Sequence, residues 1–192
     1  MVKKILGFLL FLGVVYPLSA AANDSLVKFK GGIGVIPVSS GVAVAPTLGT
    51  ALTVESVNRN IVRGVQPPGQ IWAIADLRAD VKADGRIEVK GRGLLLGGGN
   101  NIGFNANASV FATLICQVPA SNPVTFTLHS TDSDDLTAGI QGVPLEPNGD
   151  FRIDDVLDPT PPFDCASPVL LIRNAANLTW FAAGIVKLGN DD

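Results

Sequence analysis

The chain has few of the side chains that enzymes and nucleic-acid-binding proteins rely on. Its 192 residues include one His, one Met, one Tyr and two Cys, and only 16% of them are charged. One His cannot complete a typical zinc site, and a net charge of -3 disfavours contact with a phosphate backbone. We therefore expect no nucleic-acid partner and no catalytic residue.

The chain also lacks an apolar run long enough to cross a bilayer as a helix. The run from Ile5 to Leu18 covers 14 residues, whereas a membrane-spanning helix needs roughly 20. Lys3 and Lys4 precede this run, and small residues follow it up to Ala22. This order is typical of a secretory signal peptide. We predict a signal peptide over residues 1–22, no permanent membrane span, and a periplasmic, cell-surface or extracellular location.

The two cysteines, Cys116 and Cys165, are 49 positions apart, and neither belongs to a C-x-x-C motif. In a chain bound for an oxidising compartment, this pattern predicts a structural disulfide.

Strand signals dominate the rest of the chain. It contains 21 Gly and 13 Pro, and no segment shows the apolar stripe of an amphipathic helix. Apolar and charged residues alternate on both sides of Asp84-Gly85, which predicts a hairpin over Leu77–Val89, and Asn148-Gly149 suggests a second hairpin over 143–154. We expect one all-β domain over 23–192, folded as a two-sheet antiparallel β-sandwich of about eight to ten strands.

Further strand positions come from apolar runs. Val110–Cys116 and Val169–Ile172 are apolar on both faces, which favours central strands joined by the disulfide. Shorter strands are expected at 61–65 and 124–128, and a last strand at Trp180–Leu188.

No charged residue lies between Lys30 and Glu55. One interpretation of this N-terminal arm, residues 26–54, is a set of edge strands and a glycine-rich connection within the domain. The other is a detachable strand that completes a second copy of the chain by β-strand addition.

Three groups of residues are candidates for binding or chemistry. Glycan or small-molecule contacts could come from Trp72, Trp180 or the Asn100–Asn107 loop, beginning with Asn100 and Asn101. Calcium ligands could come from Asp132, Asp134 and Asp135, although a solvated acidic loop explains the same residues and no other cofactor is expected. The only His, His129, lies near Ser130 and Asp132, but sequence neighbours do not make a catalytic triad.

These observations favour an exported non-enzymatic structural or interaction protein that self-assembles through its N-terminal arm. The alternative is a secreted module that binds a small ligand or a glycan. A hydrolase that uses aspartates is a third hypothesis, because the chain after residue 22 has only Glu55, Glu88 and Glu146 as glutamates.

Overall fold

A computed structural model describes residues 24–40, 57–119, 126–134 and 139–188. All regular elements of these residues are β-strands, so the predicted all-β class is confirmed. In chain order the strands are β1 (Ser25–Gly34), β2 (Val38–Ser40), β3 (Val57–Arg59), β4 (Trp72–Ala73), β5 (Asp76–Lys82), β6 (Arg86–Arg92), β7 (Leu95–Leu96), β8 (Ser109–Pro119), β9 (Phe126–Asp132), β10 (Val143–Pro144), β11 (Phe151–Val156), β12 (Ala166–Asn174) and β13 (Trp180–Val186). None of the described residues forms a helix that could span a membrane.

Nine of these strands form a single antiparallel sheet. Its order is β10-β8-β12-β13-β1-β5-β6-β11, and β9 pairs with β8 on the same side as β10. The sheet curls into a half-barrel, while β2 with β3 and β4 with β7 make two small ribbons. The predicted sandwich of two packed sheets is not confirmed, because strands at both ends of the chain belong to one continuous sheet.

The hairpin around Asp84-Gly85 forms as predicted. Val81 lies opposite Ile87 across the β5–β6 ladder, and Gly85 takes a φ of 91° at the turn. A positive φ is easily adopted only by glycine, which explains the Asp-Gly signal. The alternating apolar residues of both strands point into the curl and are buried.

The second predicted hairpin is wrong in its pairing, although its turn is present. Gly149 has a φ of 80°, and its N–H donates to the carbonyl oxygen of Glu146 at 2.8 Å. However, β10 pairs with β8 and β11 pairs with β6, at opposite ends of the sheet order. The turn therefore connects the two ends of the curled sheet instead of folding one strand back on the other.

The disulfide and the two central strands are confirmed. β12 pairs antiparallel with β8, with Leu170 opposite Leu114, and both residues are fully buried. The Cys116–Cys165 bond joins β8 to the residue before β12. This bond fits an oxidising location outside the cytoplasm. The predicted last strand is present as β13. β9 overlaps the end of the strand expected at 124–128 and continues to Asp132. At 61–65 the structure has only an isolated bridge between Val62 and Val65.

The first part of the predicted arm is a central strand. β1 lies between β13 and β5, and Phe29 is 2% exposed. Its ring is 3.0 Å from the position that a Cβ on Gly184 would take, so the two strands pack closely at this point. Residues 25–34 are therefore built into the central part of the sheet. The predicted signal peptide (1–22) and the arm residues 41–54 lie outside the described residues.

Truncating Phe29 tests this placement. We expect Phe29→Ala to lower the free energy of unfolding by about 3 to 5 kcal/mol, because it leaves a cavity between two central strands. Ile33→Ala is the matched control, since Ile33 lies on the same strand but is 59% exposed. Urea denaturation measures both variants, and equal stability for the two would contradict a central position of β1.

Candidate functional site

A short segment at the end of β9 holds the two ends of the curled sheet together. We call Asp132–Asp134 the clasp segment. The N–H of Asp132 donates to the carbonyl oxygen of Asp158 at 3.0 Å, and the N–H of Asp158 donates back at 2.9 Å. Ser133 Oγ accepts from the N–H of Ala112 at 2.9 Å. Because Asp158 follows β11 and Ala112 lies in β8, the clasp segment joins opposite ends of the sheet.

The Asp132 carboxyl group belongs to a buried polar chain. The Thr113 hydroxyl donates to Asp132 Oδ1 and accepts from Arg173 Nη1 at 3.2 Å. Arg173 Nη1 is 3.5 Å from the same carboxylate oxygen, and the two side chains are only 12% and 7% exposed. The guanidinium also lies 5.0 Å from the centre of the Phe111 ring. These contacts satisfy two charges that would otherwise be costly to bury.

Burial has the largest effect on the pKa values of Asp132 and Arg173. Loss of solvent raises the pKa of Asp132, while the hydrogen bond from Thr113 and the charge of Arg173 oppose the rise. Burial likewise lowers the pKa of Arg173, and Asp132 opposes that change. Each group therefore offsets part of the cost of burying the charge of the other.

The calcium candidates do not form a ligand cluster in the described residues. Asp132 is bonded to Thr113, and Asp134 Oδ2 accepts from the N–H groups of Gln141 and Gly142 at 3.0 and 2.6 Å. Asp135 lies outside the described part of the chain. Asp155 joins Asp134 at a pocket of about 260 Å³. Two carboxylates provide fewer oxygen atoms than the roughly six to eight that Ca²⁺ prefers, and no group of three potential metal ligands occurs in the described residues.

The titratable residues considered for catalysis have different surroundings. His129 is half-buried opposite Cys116, and its Nδ1 is buried without a hydrogen-bond partner in the described part of the chain. A hydrogen bond from Lys90 lowers the pKa of Glu88, so this residue is not the protonated acid that a glycosidase needs. Glu146 is exposed in the turn before Gly149, and Glu55 lies outside the described residues.

β9 presents an open edge. The Asp132 backbone bonds to Asp158, on the side away from β8. Because backbone groups alternate between the two sides of a strand, the N–H and C=O groups of Leu128 and Ser130 also point away from β8. No described strand pairs with β9 on that side. We call this side, from Phe126 to Thr131, the β9 edge.

The composition of the β9 edge is unusual for an edge strand. Phe126–Thr131 contains no charged residue and no Pro, and Leu128 is 51% exposed. β11, at the other end of the sheet order, carries Arg152, Asp154 and Asp155. Charged residues, especially Lys, and Pro are common protections against strand addition. β11 carries charged residues as such protection, whereas the β9 edge has neither charged residues nor Pro.

Some of the tryptophan and asparagine candidates line a pocket, and the others do not. Trp72 lines a pocket of about 330 Å³ that also includes Asn107, at the end of the predicted binding loop. Trp180 is 3% exposed and donates its indole N–H to the carbonyl oxygen of Asn60 at 3.0 Å, which is a structural role. Asn100 and Asn101 are exposed in the turn after β7 and do not line this pocket.

Sequence reasoning missed Thr113, Arg173 and the outward backbone groups of β9. Thr113 was the only polar residue inside the apolar run Val110–Cys116, and Arg173 directly follows Val169–Ile172. A polar residue within or beside a strand that is buried on both faces is a signal that it needs a buried partner.

No protein-family model, no curated protein and no solved structure matches this chain.

Removing Arg173 tests the buried pair. We expect Arg173→Met to lower the free energy of unfolding by about 3 to 5 kcal/mol at neutral pH, because Asp132 is left charged and unpaired. Since burial raises the folded-state pKa of Asp132, its protonation favours the folded protein, and this contribution is lost as the pH rises through that pKa. The deficit of the variant should therefore shrink at mildly acidic pH.

The matched control is Arg152→Met, which removes a side chain that is 57% exposed and paired with Glu88 at 2.9 Å. An exposed pair contributes about 0 to 1 kcal/mol. Urea titrations across the pH range would contradict the buried-pair assignment if both variants lost the same stability or if the Arg173→Met deficit did not vary with pH.

Proposed function

We propose that this protein is an exported, non-enzymatic interaction protein that associates with a second copy of itself through the β9 edge. The observation that carries the proposal is the outward set of backbone groups at Leu128 and Ser130, which have no partner strand in the described residues. Unpaired N–H and C=O groups in a row are a template for another strand.

A second copy fits this edge because the edge is compatible with itself. In an antiparallel pair related by a two-fold axis at His129, Leu128 lies opposite Ser130 of the partner subunit, and both present outward backbone groups. No like charges meet in such a pair, because Phe126–Thr131 carries none. Leu128, which is 51% exposed, would gain apolar burial.

The strand that we propose for association is β9, whereas the sequence pattern predicts the N-terminal arm. β1 is a central strand, so residues 25–34 cannot leave the sheet without exposing Phe29. Association through β9 requires no such opening, since no strand of the described residues pairs with that edge. The proposal therefore keeps strand addition as the mode of assembly and assigns it to a different strand.

We propose export and a lack of catalytic activity together with this association. The basic and apolar start of the chain and the Cys116–Cys165 bond support an extracytoplasmic site of action. Asp132, the described carboxyl group with a raised pKa, is bonded to Thr113 and buried, which is a structural arrangement.

Charge on the β9 edge should prevent association. We expect the purified protein to be a dimer by light scattering after size exclusion, and Leu128→Lys to be a monomer, because a Lys on an edge strand opposes strand addition. Val156→Lys is the matched control, since Val156 is a similarly exposed apolar residue (54%) on the other edge strand, β11. It should remain a dimer.

Hydrogen exchange provides the second measurement. The amides of Leu128 and Ser130 should be protected in the dimer and should exchange freely in Leu128→Lys. A wild-type monomer at all concentrations, or dissociation by Val156→Lys as well, would contradict association through β9.

A further inference from the structure

The pocket that contains Trp72 and Asn107 is a second feature, separate from the β9 edge. It has a volume of about 330 Å³, at the lower end of the roughly 300–1,000 Å³ found for small-molecule sites. Its walls come from β4, the approach to β8, the residues before β10 and the turn after β12. We infer that this pocket binds one residue of a neutral sugar or a similar uncharged polyol.

The polar groups of the pocket suit hydroxyl groups. Three amide side chains, Asn107, Gln141 and Asn174, line it together with the hydroxyl of Ser109. An amide both donates and accepts hydrogen bonds, as a sugar hydroxyl does. None of the described lining residues carries a charge, so this part of the chain offers no side-chain counterion for a phosphate, a carboxylate or an amine.

Trp72 contributes an aromatic wall with an unused donor. Its ring stacks on Phe181 with centroids 3.9 Å apart, and the residue is 4% exposed. The indole N–H is buried and has no hydrogen-bond partner among the described residues. A buried donor without an acceptor is rare in native proteins, and this one belongs to a residue that lines the pocket.

The Asn107 wall is fixed before any ligand arrives. Asn105 donates to the carbonyl oxygens of Leu145 and Glu146 at 3.1 and 3.0 Å, and its Oδ1 accepts from the N–H of Asn107 at 3.0 Å. Ala106 and Asn107 have φ values of 52° and 49°, a conformation that L residues seldom adopt. These bonds hold the strained turn in place, so binding would not have to order it.

The wall at Asn174 is held in the same way. The Asn174 Oδ1 accepts from the N–H of Ala176 at 2.7 Å, which fixes this side-chain amide before a ligand arrives. The N–H of Ala175 donates to the carbonyl oxygen of Ser109 at 2.9 Å and so joins the two walls.

The test uses the full-length mature protein and a panel of neutral monosaccharides and inositol, with glucose 6-phosphate and gluconate as charged probes. Binding is followed by ligand-detected NMR and by isothermal titration. We expect at least one neutral probe to bind with a millimolar dissociation constant and the charged probes to bind at least tenfold more weakly, a difference of roughly 1.4 kcal/mol.

Two variants locate the site. Gln141→Leu and Asn174→Asp should each weaken binding at least tenfold, and Asn174→Asp keeps the oxygen that Ala176 requires. Gln70→Leu is the matched control, since Gln70 is exposed and does not line the pocket. Because Leu128→Lys lies outside the pocket, it should bind the sugar normally, which separates this inference from association through β9.

Three results would overturn the inference. They are no binding of any neutral probe at millimolar concentrations, equal or stronger binding of the charged probes, and an equal loss of binding in Gln70→Leu.

Discussion

The curled sheet depends on the contact between Asp132 and Asp158. Asp132 ends β9 and Asp158 follows β11, at opposite ends of the sheet, and their backbone hydrogen bonds hold the ends together. The side chain of Asp132 adds a second connection through Thr113 and Arg173, which anchors the clasp segment to β8 and β12. Burying this carboxylate costs solvation free energy, and the neighbouring donors offset the cost. Buried polar contacts of this kind favour one register over its alternatives.

The clasp segment also connects the two features proposed to bind. It uses the outward backbone groups of Asp132, so the β9 edge ends at that residue. Asp134 accepts from the N–H of Gln141, whose side chain lines the Trp72 pocket. Arg173 and Asn174 are consecutive in β12, and one reaches Asp132 while the other lines the pocket. The same few residues therefore set the end of the open edge and the positions of two pocket amides.

Sequence reasoning succeeded where the determinants were local. The turn at Asp84-Gly85 needs a positive φ at one residue, and strands buried on both faces need uninterrupted apolar residues. It failed where partners are distant. Alternating apolar residues specify a strand and its buried face, but the same alternation fits a sandwich and a curled sheet. Asn148-Gly149 likewise fixed a turn without fixing which strands its arms would pair with.

The candidate functional residues show the same difference between local and distant determinants. Trp72 and Trp180 are the same residue type, and only tertiary contacts show that Trp180 donates its N–H to Asn60 while the N–H of Trp72 has no partner among the residues that the structure describes. The acidic run Asp132–Asp134 looked like a solvated loop or a metal site, yet its carboxylates accept bonds from the protein. In a strand-rich domain, such bonds come from residues far along the chain, which no local pattern reveals.

Strand addition works best on an edge that is ordered before the partner arrives, because ordering a strand during binding costs conformational entropy. β9 meets this condition through its neighbour. It pairs with β8 along its whole length, and His129 lies directly opposite Cys116. The disulfide joins Cys116 in β8 to the residue before β12, so it links two neighbouring strands covalently. The bond that fits an oxidising compartment thus also supports the strand against which β9 is ordered.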